Sequence, residues 1–350
     1  MVAEVNVAVI GLGGKGRSHA ANLVNLPGVQ LVALCDINTE AIERSRRQIG
    51  SAANAAYATT DAEQIFADHS IDAVVVATQH DTHAPLAIGA ARAGKHLLVE
   101  KPLALTEADC LAIEKAVTEA GVQLLMGFQA RHRYFVQLIK QRIPNPRVVV
   151  GEIIDPKWPD GFWAVDPVKG GGNVLSQGVH TFDLVCYLAN AEPESIYAVG
   201  GIFSHDPTIT PTIDTCLATI RFANGAVGSV GIGDFGPLPW PGDKSFYQVF
   251  DARDHSATLY GTQLLFASRT MDGRREVEEH RTEQPPEGQQ PDYGGTIRLV
   301  EELVQCVREN RPPVVAATVR EGRRATTLAL RAFEAMRTGQ VQRVEEGGAP

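Results

Sequence analysis

The chain has 350 residues and a formal net charge of −9 at pH 7, with a pI near 5.6. That length suits two domains of about 100–200 residues better than a single core. An acidic balance with no basic stripe argues against nucleic acid and against anionic membrane as partners.

The first predicted element is a buried strand from Val5 to Ile10, which runs directly into G-x-G-x-x-G with Gly11, Gly13 and Gly16 at the glycine positions. A dinucleotide needs this spacing. The first glycine makes the tight turn, the second lets backbone approach a pyrophosphate, and the third lets the next helix pack on the strand. A second apolar run, Val29 to Cys35, ends in Asp36, about 20 residues after Gly16, where a carboxylate accepts hydrogen bonds from the adenosine ribose. Ile37 and Asn38 bring no cation for a 2′-phosphate, so the expected cofactor is NAD, with NADP less favoured.

Helix Thr39 to Ile49 follows, capped by Asn38 or Thr39. The succeeding elements are strand Ile71 to Thr78, helix Ala84 to Ala93 closed by Gly94, strand His96 to Glu100, helix Glu107 to Ala120 ended by Gly121, and strand Val122 to Gly127. This alternation predicts a doubly wound parallel sheet in an α/β Rossmann domain over 1–126, with ligands beyond the carboxyl ends of the strands. Thr78, His83, Glu100, Lys101 and Gln129 fall at that edge.

The pattern then changes. Short β-branched runs (Val148 to Ile154, Ile196 to Gly201, Thr215 to Phe222, Ala226 to Ile232) predict an antiparallel sheet in an α+β domain over 127–340. Asn224-Gly225 signals a type I′ hairpin turn. One helix, Val174 to Leu188, interrupts the strands after the glycines at 170–172. Two more, Gly295 to Glu309 and Val319 to Arg337, close the domain. Glu283 to Pro291 has loop composition, and 341–350 reads as a frayed tail.

No run reaches the ~18 apolar residues of a membrane-spanning helix, and the start of the chain shows no signal-peptide pattern. Five scattered cysteines (Cys35, Cys110, Cys186, Cys216, Cys306) form no C-x-x-C, as for reduced thiols in a cytoplasmic protein. His132, His205, His255 and His280 show no metal-ligand spacing, so no metal is expected.

Four segments resemble one family. Val74 to Asp109 is similar to the stretch around the Glu-Lys-Pro signature of the glucose–fructose oxidoreductase and inositol dehydrogenase (Gfo/Idh/MocA) family. Gly170 to Val185 resembles its glycine triplet and histidine-bearing helix, and Gly127 to Arg133 its GFNxR segment. Pro312 to Gly339 is similar to its closing helix. The resemblance implies NAD(P)-dependent chemistry on a hydroxyl of a sugar, aminosugar or cyclitol, a cis Lys101–Pro102 peptide, and a homodimer or homotetramer built on the open sheet of the second domain.

The residues fit that chemistry. Taking a hydride from a carbinol carbon requires removal of the hydroxyl proton and support of developing alkoxide charge. Lys101 supplies fixed positive charge at the sheet edge, and His180 is the candidate proton carrier. Where many family members carry Asp four residues before this histidine, on the same helical face, this chain has Ser176; Asp183, also on that face, reads either as its replacement or as a structural hydrogen-bonding residue. Trp163, near Lys157, Trp158 and Asp160, is placed to stack on a sugar ring or to fill a core contact. His19 reads equally as helix packing or as a ligand neighbour. Two other functions fit the same motifs: an NAD-retaining lyase or glycosidase that oxidises transiently, and a non-catalytic nucleotide sensor.

Overall fold

The structure is a computed structural model, which describes residues 4–50, 56–235, 244–251, 253–269, 273–281 and 294–344. These divide into two compact units, one drawn from 1–132 and 294–323, the other from 133–293 and 324–350. The loop expected at 283–291 lies outside the described residues.

The first unit is a six-stranded parallel sheet: β1 (Val5–Ile10), β2 (Val29–Cys35), β3 (Tyr57–Thr59), β4 (Ala73–Val76), β5 (His96–Val99) and β6 (Leu124–Met126), in the order β3-β2-β1-β4-β5-β6. Its helices are α1 (Gly14–Leu23), α2 (Thr39–Ile49), α3 (Ala62–Ala67), α4 (His83–Arg92) and α5 (Glu107–Ala120). Strand order reverses between β1 and β4, and that reversal opens a crevice at the carboxyl edge. β4 is buried at every position, as expected of a strand covered on both faces. Asn38 caps α2 by accepting from Glu40 N, and Gly121 ends α5 in the left-handed conformation.

Helix α9 (Thr296–Glu309) belongs to this unit and not to the second domain in which the sequence placed it. Leu299, Val300, Leu303 and Val304 on its apolar face join the cluster formed by Val5, Val7, Leu23 and Leu31. Hydrophobic burial therefore overrides chain order.

The second unit contains a nine-stranded sheet and helices α6 (Tyr134–Arg142), α7 (Gly172–Ser176) and α8 (Gly178–Ala189). Its strands are β7 (Val148–Ile154), β8 (Pro193–Gly201), β9 (Thr215–Phe222), β10 (Val227–Gly233), β11 (Ser245–Phe250), β12 (His255–Tyr260), β13 (Gln263–Arg269), β14 (Arg275–Arg281) and β15 (Gln342–Arg343). The last helix is α10 (Val319–Thr338). All pairings are antiparallel except β7 with β10, which is parallel. Residues 342–343 of the expected tail form an edge strand on β8.

Helix α8 lies on β7 and β10 and approaches closely because glycines stand at the contacts. A Cβ on Gly151 would fall 2.7 Å from Val185 Cγ2, and one on Gly178 would fall 2.4 Å from Ile232 Cδ1. The β9–β10 hairpin forms, but its turn is not type I′. Gly225 alone has positive φ (78°) and its N–H donates to Phe222 O, a type I turn closed by a left-handed glycine.

Candidate active site

Sterics set the glycine loop. A Cβ on Gly16 would lie 1.7 Å from Gly11 O, and one on Gly11, at φ 88°, would lie 2.6 Å from the backbone of Ala77. Gly13 is different, since a Cβ there would meet nothing within 4 Å. It is the N-cap of α1, with no side-chain cap and no acidic residue in the first turn. The free N–H groups and the open approach fit a dinucleotide pyrophosphate. Asp36 is held against the loop, accepting from Leu12 N at 2.6 Å and from Asn38 N at 2.8 Å.

The Glu-Lys-Pro turn follows β5, and its Lys101–Pro102 peptide is cis. Lys101 is buried, with 8 % of its surface exposed. Glu100 accepts from His19 Nε2 at 2.9 Å and from Lys101 N at 3.3 Å. Burial alone would raise its pKa. The His19 hydrogen bond, with the charges of His19, Lys15 and Lys101, instead holds the carboxyl below the usual range. On the other side of the turn, fully buried His83 donates from Nδ1 to Pro102 O at 2.7 Å, while its Nε2 lies 3.3 Å from Thr78 O. Burial lowers the His83 ionisation, so the ring is neutral and braces the turn through one N–H. Thr78 accepts from the Thr82 hydroxyl at 2.7 Å, and its methyl lies beside Gly11. Gln129 opens the short 3-10 turn Gln129–His132 after β6 and is half-buried.

In the second unit the expected helix over 174–188 is two helices. At Gln177, φ −103° and ψ −37° break the run between α7 and α8. Ser176 ends the first helix and His180 lies in the first turn of the second, so the two do not share one continuous helical face. Ser176 and Asp183 are buried; His180 is half-buried. Trp163 is half-buried and begins a 3-10 turn, its ring 5.6 Å from that of Phe162.

Several polar residues at these sites were not anticipated. Asp155, buried at the end of β7, accepts from Lys244 Nζ at 2.9 Å and from Asn173 Nδ2 at 3.4 Å; Lys244 also lies 3.4 Å from Gln177 Oε1. A carboxylate therefore stands beside the α7–α8 break although position 176 has none. In the first unit, Glu302 accepts from His132 Nε2 and from the N–H groups of Val314, Val315 and Ala316. A charged residue on the apolar face of α9 was the available signal for Glu302. Nothing local marks Asp155. His205 binds Asp160 and Asp234, a cluster that histidine spacing did not reveal.

Residues 5–128 match the model of an oxidoreductase family with an NAD-binding Rossmann fold, and residues 136–263 match the GFO/IDH/MocA C-terminal domain. A myo-inositol 2-dehydrogenase of Thermotoga maritima is 30 % identical over 65 % of this chain and 67 % of its own length. A scyllo-inositol 2-dehydrogenase (NAD(+)) of Bacillus subtilis is 33 % identical over 65 % and 66 %. The chain thus spans about two thirds of the length of these relatives. Among solved structures, a levoglucosan dehydrogenase in complex with NADH and levoglucosan shares the fold, with a TM-score of 0.85 at 22 % identity over 97 % of this chain and 99 % of that one.

Proposed function

Because the chain belongs to the Gfo/Idh/MocA oxidoreductase family, we propose that it transfers a hydride between NAD and a secondary hydroxyl of a sugar, aminosugar or cyclitol. The observation that carries this reading is the glycine loop. Its backbone leaves no room for a Cβ at Gly11 or Gly16 and open space at Gly13, in front of an uncapped helix. NAD supplies the hydride acceptor when bound.

This chain's own residues supply the rest. Asp36 is already turned toward the loop by Leu12 N, where a carboxylate receives ribose hydroxyls and repels a 2′-phosphate. Lys101 supplies a preorganised positive charge for the forming alkoxide. His180 takes the hydroxyl proton. Trp163 offers an indole face to a sugar ring. Ser176 can hydrogen-bond a hydroxyl but carries no charge, and Asp155 is the nearby carboxylate that sets the electrostatics of the α7–α8 break.

A homo-oligomer belongs to the same reading. Neighbouring strands β8, β9 and β10 expose Tyr197, Val199, Leu217 and Val227, and Val199 and Leu217 are 50 % and 59 % exposed. A second copy of the chain would cover this apolar face. Light scattering at micromolar concentration tests this, and a monomeric mass contradicts it. No helix among the described residues is long and apolar enough to cross a membrane. All five cysteines are buried thiols, which supports a reducing, cytoplasmic setting.

Assay of NADH formation with a panel of cyclitols and sugars tests the activity. Turnover without net NADH release would favour a transiently oxidising lyase instead.

A further inference from the structure

One polar cluster in the second unit has no part in the reading above. It is built around His205, whose side chain is 1 % exposed and has both ring nitrogens on carboxylates. Nδ1 lies 2.7 Å from Asp160 Oδ1, and Nε2 lies 2.7 Å from Asp234 Oδ2. Three separate segments meet there. Asp160 belongs to the loop that carries Trp158, Phe162 and Trp163; His205 lies between β8 and β9; Asp234 follows β10.

Proton counting decides how the knot behaves. Ionised carboxylates only accept, so two of them on one ring require two N–H donors, and only imidazolium has both. A neutral ring would leave one carboxylate facing a lone pair at 2.7 Å. Asp234 is fully buried and keeps Ser204 Oγ as a donor at 3.0 Å. Asp160 has a side chain 33 % exposed and keeps Thr210 Oγ1 as a donor at 3.0 Å, so its carboxylate can exchange the ring for water while staying hydrogen-bonded. Loss of the proton therefore breaks the Asp160 link first.

We propose that His205 is a proton-dependent latch: as imidazolium it fastens the Trp158–Trp163 loop to the sheet, and on losing its proton it releases that loop. The charged groups around the ring are few. Asp160 and Asp234 touch it. Asp214 is held by the N–H groups of Phe203, Ser204 and His205 and by the hydroxyl of Thr215. Lys157 Nζ lies 3.4 Å from Asp160 Oδ2, and Asp206 adjoins His205 in the chain. Burial opposes charge on the ring, but the bonds to Asp234 and Asp160 outweigh it and raise the ionisation above the ordinary 6.5. For a raised histidine the interaction is complete on the acid side and is lost as pH rises through the raised value. Release is therefore an alkaline event. His205, Asp214 and Asp234 stand close enough together to suggest a metal site, but these atoms are already taken by the donors and acceptors just described.

The loop's role in binding substrate rests on the reading given for Trp163; the latch does not. In a Trp240→Phe background, Trp158 and Trp163 are the remaining indoles of the chain's three. Acrylamide quenching between about pH 6 and pH 10 is expected to rise roughly twofold through one ionisation, with circular dichroism unchanged. His205→Gln should abolish the step. Asp160→Asn, which spares the buried His205–Asp234 pair, should move it to lower pH. A pH-independent parent, or a step unchanged in both variants, overturns the latch. So does an equimolar metal whose chelation, at constant pH, produces the same rise. KM for a substrate should follow the quenching curve more closely than kcat does. A KM indifferent to a confirmed step contradicts the role given to Trp163 and leaves the latch standing.

Discussion

The glycine loop of the first unit and the α7–α8 break of the second are held by different means. In the first, backbone packs on backbone: Gly16 sits where a Cβ would lie 1.7 Å from Gly11 O, and Gly11 sits against Ala77. In the second, side chains far apart in sequence hold one another, as Lys244 holds Asp155 across 89 residues while also lying 3.4 Å from Gln177 Oε1. A site set by sterics does not titrate and tolerates almost no substitution. A site set by charged side chains tolerates substitution but depends on protonation.

The sharpest way to break the comparison is Gly16→Ala. Backbone at 1.7 Å cannot yield as a flexible side chain would, so NAD affinity should fall by ~100-fold or more, measured by calorimetry. Retained affinity would show that the loop is not sterically fixed. Lys101→Ala should come next in size. Removing a preorganised charge from the forming alkoxide costs roughly 10²–10³-fold in kcat while leaving NAD affinity intact, as steady-state kinetics and calorimetry together would show. His180→Ala should cost about 10²-fold or somewhat more in rate, again without loss of NAD binding. Near-parental turnover in either variant would remove that residue from the mechanism.

The smallest expected effect concerns stability, and it tests whether the first unit is as indifferent to pH away from its loop. Burial would raise the Glu302 pKa, but the bond from His132 and three backbone N–H groups outweigh it and lower it to about 2. For a lowered carboxylate, the stabilisation is present above the ordinary 4.5 and is lost as pH falls through about 2. Glu302→Gln should therefore lose up to about 3 kcal/mol at neutral pH, with the gap to the parent closing as pH approaches 2. Denaturant unfolding at several pH values measures it; a gap that does not change with pH would contradict the assignment.

These differences also explain what could be read from the chain. The glycine loop, Asp36, the Asn38 cap and the Gly121 terminus depend on neighbours in sequence, so spacing exposes them. The break at Gln177 is followed directly by Gly178, but one glycine inside an otherwise apolar helical run does not by itself announce a break. Strand β14 is almost entirely exposed, so it lacks the apolar alternation by which strands are recognised. Helix α9 shows its apolar face in the sequence but not which unit it covers. Partners such as Asp155 with Lys244 and His205 with Asp234 meet only once the second sheet is assembled, and no local pattern encodes them.

Hydride transfer itself gives the most direct test. The parent protein and Lys101→Ala, each with NAD and the same panel of cyclitols, sugars and aminosugars, would be followed by NADH formation. Net NADH from at least one secondary alcohol is expected in the parent, with a loss of roughly 10²-fold or more in the variant. Tight NAD binding with no NADH from any of them would contradict an oxidoreductase.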